Sequence, residues 1–196
     1  MSPESLEKRF VQRMRELLVS LPYDMKALFE AVSDENLPPE ARQFAAAAAI
    51  YCLSPSDPIP DSLGLIGYID DVVCVRLALK RILELGGEDA KSYPERFADA
   101  YRSLDQDLEL VRSFLGETIN WIARRVDKGT GKARYKGKAV STYVDDVEAR
   151  EFLYEEGQDF TTAYEIDEEA ASRLLSGKPI LDAFRRRMAE ESRRLS

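Results

Sequence analysis

The sequence predicts a mainly α protein: a helical bundle built around a helix–Pro/Asp loop–helix hairpin, with a small C-terminal α+β appendage. Three observations carry this prediction. Apolar residues recur at spacings of three and four from Leu6 to Ile122, the mark of helices with one buried face. Prolines and glycines punctuate these runs mostly at their ends. Beyond position 127 the composition shifts, and short β-branched and aromatic stretches appear. The expected division is therefore 1–127 as bundle and 128–196 as appendage.

The elements follow in order. Ser2-Pro3-Glu4 reads as a helix start: a capping hydroxyl, a proline whose missing N–H costs nothing there, and an acid at the positive helix end. Leu6, Phe10, Val11, Met14, Leu17, Leu18 and Leu21 form its apolar stripe. Pro22 is expected to end it, and Met25, Leu28, Phe29 and Val32 mark a shorter second helix. Pro38-Pro39-Glu40 opens a third, whose body at 44–51 is rich in alanine, the best helix former. That helix stops before Pro55. A fourth starts near Gly67, carries Ile69, Val72, Val73, Val75, Leu77, Leu79, Ile82 and Leu83, and ends at Gly86-Gly87.

Residues 94–125 read as one long helix with Gly116 as a kink. Phe97, Tyr101, Leu104, Leu108, Val111, Leu115 and Ile122 make a narrow seam. Such a seam suits either the bundle or a second copy of the chain, giving a homodimer through the 97–122 helix. Trp121 and Phe114 are expected in the core. Two short strands are expected at 139–144 and 160–166. Asp167-Glu168-Glu169 then caps a helix, Gly177-Lys178-Pro179 breaks it, and an arginine-rich surface helix follows.

Composition excludes much chemistry. The 196 residues include no histidine, which removes Ser-His-Asp and Cys-His catalysis and His-ligated zinc. A net charge of −8 repels polyphosphate, so nucleic acid is not an expected partner. Cys52 and Cys74 lie in apolar helical stretches and are expected as buried, reduced thiols. The opening residues carry no apolar leader, and Asp70, Asp71, Arg76 and Lys80 interrupt the fourth helix. A spanning helix needs roughly 20 mostly apolar residues, so a soluble, cytoplasmic protein is expected, with peripheral membrane association as a further option.

One constellation stands out. The loop joining helices three and four reads Ser54-Pro55-Ser56-Asp57-Pro58-Ile59-Pro60-Asp61-Ser62-Leu63-Gly64-Leu65-Ile66-Gly67-Tyr68-Ile69-Asp70-Asp71. Three prolines stiffen it, two glycines permit tight turns, and four acids sit among apolar neighbours. Tyr51, Ser54-Pro55, Asp57, Ile59-Pro60-Asp61, Gly67-Tyr68 and Asp70-Asp71 resemble the signature of the YkvA-like family, a bacterial domain of unknown function. The resemblance covers about residues 38–86 and implies a helical hairpin whose loop acids share a purpose, with no activity attached. Ser56, Pro58, Ser62 and Gly64 stand where similar members carry larger apolar residues or another proline, which weakens the membrane-embedded reading given to that family's hairpin.

Three roles for the acids stay open. Asp57 and Asp61 could close Asx-type turns while Asp70 and Asp71 favour the positive start of the fourth helix. Alternatively Asp57, Asp61, Asp70 and Asp71 converge on Mg²⁺, Mn²⁺ or Ca²⁺, which take oxygen ligands and could activate water for hydrolysis. Glu30, Glu40, Asp105 and Asp107 are further acids such a hydrolase could recruit. Or the stiff loop docks a protein or a membrane. A second surface is basic: Arg124, Arg125, Lys128, Lys132, Arg134, Lys136 and Lys138 face a lone opposing Asp127, suiting an anionic partner such as lipid headgroups. Gly129-Thr130-Gly131-Lys132 is no phosphate loop, since Val126 and Ala133 stand at required Gly and Ser/Thr positions. The leading expectation is a non-enzymatic adaptor with an unknown protein partner; a carboxylate–metal hydrolase and a peripheral membrane protein are the alternatives.

Overall fold

The computed structural model describes residues 3–54, 66–132 and 134–174, with positions 182, 186, 189, 190 and 193 beyond them. In chain order these form α1 (Pro3–Ser33), α2 (Pro39–Leu53), α3 (Ile66–Gly86), α4 (Tyr93–Arg96), α5 (Ala98–Tyr101), α6 (Leu104–Leu115) and α7 (Ile119–Lys132). They continue through β1 (Arg134–Tyr135), β2 (Lys138–Ala139), α8 (Thr142–Asp145), α9 (Val147–Ala163) and α10 (Glu168–Leu174). The fold is mainly α, as the apolar spacing requires.

Helices α1, α2 and α3 pack on one another, and α6 and α7 close the bundle against them. Ala45, Ala46, Ala47, Ala48 and Ala49 are all buried, so α2 is the central helix, and its small side chains let its neighbours approach closely. Phe10 of α1 stacks on Phe114 of α6 with centroids 3.8 Å apart. Arg42 of α2 donates from Nε to the Val32 carbonyl at 3.0 Å and from Nη2 to the Val144 carbonyl at 3.1 Å. It thereby ties α2 to the C-terminal ends of both α1 and α8, where cations are favoured.

The expected break at Pro22 does not occur: α1 runs through it. Proline there cannot donate to the carbonyl four residues back, which is that of Leu18. The Tyr164 hydroxyl donates to that carbonyl at 2.6 Å and fills the vacancy. Helix α1 therefore keeps both of its apolar stripes on one continuous axis.

The single helix expected over 94–125 is instead α4, α5, α6 and α7. Phe97 (φ −122°, ψ 49°) and Ser103 (φ −117°, ψ 13°) leave helical geometry, and Gly116 turns the chain at φ +58°. The kink expected at Gly116 is thus a full break, made where glycine tolerates positive φ. Tyr101, Leu104, Leu108, Val111, Leu115 and Ile122 are buried in the chain's own core, and Phe97 packs partly buried against it.

The strands also differ from expectation. Lys138 and Ala139 pair with Tyr135 and Arg134 in a two-residue antiparallel hairpin. Lys136 and Gly137 both take positive φ at its turn, the mirror-image geometry that matches strand twist. Val140 and Ser141 turn into α8, which takes up 142–144, while 160–163 completes α9 and 164–166 follows it outside any strand. Asp146 caps α9 by accepting from the Ala149 N–H at 2.7 Å. The Thr161 and Thr162 hydroxyls turn back on the helix and bond the Gly157 and Gln158 carbonyls, both 2.9 Å.

The expected boundary at residue 127 falls inside α7. Tyr135, Val140, Tyr143, Val144, Ala149 and Leu153 belong to the same hydrophobic core as the bundle. Helix α9 lies so close to α1 that a Cβ on Gly157 would come within 2.2 Å of the Phe29 ring.

Candidate functional site

The hairpin of α2 and α3 carries the residues singled out above. Ser54 closes α2 with its hydroxyl on the Ile50 carbonyl at 2.6 Å. Asp57 and Asp61 lie outside the described residues. Asp70 and Asp71 are both fully buried. The first turn of α3 contains no acid, so the role expected for them at the positive helix end is not the one they take; they stand a turn further in. The Tyr51 hydroxyl donates to Asp70 Oδ2 at 2.7 Å, joining the two arms of the hairpin. Burial, and then the neighbouring Asp70 charge, push the Tyr51 phenol well above its ordinary value. Cys52 and Cys74 are buried as expected.

Aromatic contacts bind the hairpin to its surroundings. The Arg125 guanidinium lies 5.9 Å from the Tyr51 ring centre and 5.6 Å from that of Trp121. Arg125, expected on the basic contact surface, is half-buried and links α7 to α2. Tyr68, near the start of α3, meets the edge of Tyr164 at 5.3 Å and Phe160 at 6.5 Å. The tyrosine that relieves Pro22 thus also packs beside the mouth of the hairpin.

A second polar cluster was missed by sequence reasoning. Arg76 of α3, 1% exposed, ion-pairs with Asp24 of α1 and donates to the Ala100 carbonyl at 2.5 Å. Nη1, the nitrogen that bonds Ala100, also lies 3.8 Å from Asp107 Oδ2. Arg13 clamps the same Asp107 through Nε at 2.6 Å and Nη2 at 3.0 Å, and also bonds Ser103 and Glu16. Two arginines and two aspartates thus alternate through the bundle interior, a neutral arrangement that compensates the cost of burying each charge. Burial pushes the Asp24 carboxyl up, against the opposing pull of Arg76 and Ser20. The hydrogen bond to Asp107 holds the Arg13 guanidinium above its ordinary value. A signal existed: Asp24 stands on the stripe Leu17, Leu21, Leu28, and Arg76 on the stripe Val72, Val73, Leu79. Charges at core positions of an amphipathic pattern imply buried partners.

Among the acids considered for recruitment, Glu30 pairs with Arg96, Asp105 pairs with Lys80 at 2.8 Å, and Asp107 belongs to the buried network. Among the described residues no group of three or more potential metal ligands converges.

The basic segment spans the end of α7 and the β-hairpin. Arg124, Lys128, Arg134, Lys136 and Lys138 are exposed, while the Lys132 side chain lies outside the described part of the structure. Lys136 is 3.4 Å from Glu156, and Arg134 donates to the Gly137 carbonyl at 3.0 Å. Arg124, Lys128 and Lys138 make no ion pair among the described residues.

Residues 41–77 match a family described as a protein of unknown function (DUF1232). The match lies inside the hairpin and takes in Tyr51, Asp70, Asp71 and Arg76, but covers less than half of the chain. No curated protein and no solved structure matches. Among the described residues, no helix is long and apolar enough to cross a membrane.

Proposed function

We propose that this chain is a non-enzymatic cytoplasmic adaptor of YkvA-like type, whose basic segment at 124–138 contacts an acidic protein surface. One observation carries the reading: exposed Arg124, Lys128, Arg134, Lys136 and Lys138 sit together along the chain on a molecule of net charge −8. A net-negative protein repels other acidic surfaces, so a cationic segment gives it one face on which an acidic partner is steered and aligned. The hairpin supports that face from behind, because Arg125 leans on Tyr51 and Trp121 and so couples α7 to α2.

The test is charge reversal at Arg124, Lys128 and Lys138, compared with wild type by proximity cross-linking in cells. The reading predicts loss of a defined set of cross-linked proteins at unchanged thermal stability, and weaker association as salt rises. An unchanged set contradicts it. Flotation of the same two proteins with anionic vesicles gives the competing membrane outcome: salt-sensitive vesicle binding that the reversal abolishes would replace the protein partner with a lipid surface.

A metal-dependent hydrolase is the second reading, and the burial of Asp70 and Asp71 side by side favours it. It needs further oxygen ligands beyond these two, for which Asp57 and Asp61 are the adjacent acids in sequence.

A further inference from the structure

Helix α9 buries Ala149, Leu153 and Gly157, four apart, and shows its other side to solvent. On that side Val147 is 58% exposed and Tyr154 50% exposed, two of the three large apolar side chains left open among the described residues. Seven positions apart, they stand about two turns from each other on one side of the helix. The Tyr154 ring is fixed there, since it meets that of Phe29 edge-on at 6.2 Å. Beside them run Glu148, Glu151, Glu155 and Asp159, spaced by three and four and all exposed. None of these acids makes an ion pair among the described residues. Like charges at this spacing repel one another along a helix. No cation of α9 relieves them: Arg150, the one it has, is largely covered and lies 3.7 Å from Glu35.

The molecule carries the complement of this face. Arg124 and Lys128, one turn apart on α7, and Lys138 on β2 are exposed and make no ion pair among the described residues. Lys136 lies 3.4 Å from Glu156, so the basic segment borders α9 on the same molecule. Two adjoining surfaces of opposite charge become self-complementary when a copy is turned through a two-fold axis: cations meet acids, and the contact is made twice. The net charge of −8 on each copy opposes approach, but that repulsion fades over about 8 Å at physiological salt, and the contact itself decides. We infer that the chain pairs with a second copy of itself, the basic segment of each seated on the acidic outer face of the other's α9, with Tyr154 and Val147 covered between them. This pairing rests on segment 124–138 being a contact surface, and it names the partner.

Sedimentation velocity of the full chain over a range of concentrations tests it. Monomer and dimer in exchange are expected, and nothing larger, since a two-fold contact closes on itself. Lys128→Glu/Lys138→Glu and, separately, Glu151→Lys/Glu155→Lys reverse the two surfaces at exposed positions. Each variant alone is expected to dimerise at least about tenfold more weakly, because both of its contacts turn repulsive. Mixed in equal amounts, the two variants are expected to pair with each other as wild type does, since both contacts are then attractive. That recovery also shows that both are folded. A chain that stays monomeric at every concentration overturns the pairing. So does a dimer that neither reversal weakens, or a mixture of variants that regains nothing. A monomer that still loses its cross-linked proteins on reversal of Arg124, Lys128 and Lys138 overturns the pairing alone, and leaves the basic segment a surface for a different protein.

Discussion

Tyr164 shows what one hydroxyl can decide. Pro22 strips the Leu18 carbonyl of its helical donor, and Tyr164 supplies another from 146 residues along the chain from Leu18. Tyr164→Phe keeps the ring contacts with Tyr68 and Phe160 and removes only that bond. The loss expected is about 1–2 kcal/mol, the cost of leaving a buried acceptor unmade, measured by urea unfolding. A variant as stable as wild type would mean that the carbonyl finds water instead. The missing N–H of Pro22 was legible in the sequence, but its replacement was not, because the donor comes from a distant segment with no local pattern. Asp24 and Arg76 follow the same logic: each is visible as a charge on an apolar stripe, but their pairing exists only once α1 and α3 are side by side.

Elements reveal a similar division. The starts of α1 and α2, and the stop of α3 at Gly86, follow from proline, alanine and glycine acting locally. The breaks at Phe97 and Ser103 carry no such punctuation; tertiary packing of Tyr101 and Leu104 imposes them, and the sequence pattern read straight through. Helix α9 was hidden because Thr161 and Thr162 favour strands by propensity, while the cap at Asp146 and the docking on α1 favour helix. That docking has a clear test. Alanine normally stabilises a helix over glycine by about 1 kcal/mol. At Gly157 the new methyl would collide with the Phe29 ring, so Gly157→Ala is expected to destabilise by about 1–3 kcal/mol. Adding Phe29→Leu should recover part of the loss. Stabilisation by Gly157→Ala in thermal unfolding would show that α9 sits farther from α1 than described.

The whole molecule balances its charges unevenly between surface and interior. Buried phenols give its stability a definite dependence on pH. Burial raises the Tyr51 and Tyr101 hydroxyls above their ordinary values in the folded chain, whereas unfolded tyrosines titrate near pH 10. The stability they contribute is complete below pH 10 and falls as pH rises, because the unfolded state then releases protons that the folded state keeps. Each such tyrosine adds a slope of about 1.4 kcal/mol per pH unit, so unfolding above pH 10 should be steep and should coincide with a jump in phenolate absorbance. Phenolate appearing gradually, well before unfolding, would contradict the burial of these rings.

On the largest scale the chain is read as a contact protein in which Asp70 and Asp71 are structural acids of the hairpin rather than ligands of a working metal. Thermal unfolding in EDTA, Mg²⁺, Mn²⁺ and Ca²⁺, beside an Asp70→Asn/Asp71→Asn variant, tests that claim most directly. A metal bound at a hundred times its dissociation constant adds about 2.7 kcal/mol of stability, a shift too large to miss. Superimposable wild-type melts are expected in all four conditions, with the variant less stable by the same amount in each. A melting temperature that rises with one cation in wild type, and not in the variant, would contradict it and make this chain a metalloprotein.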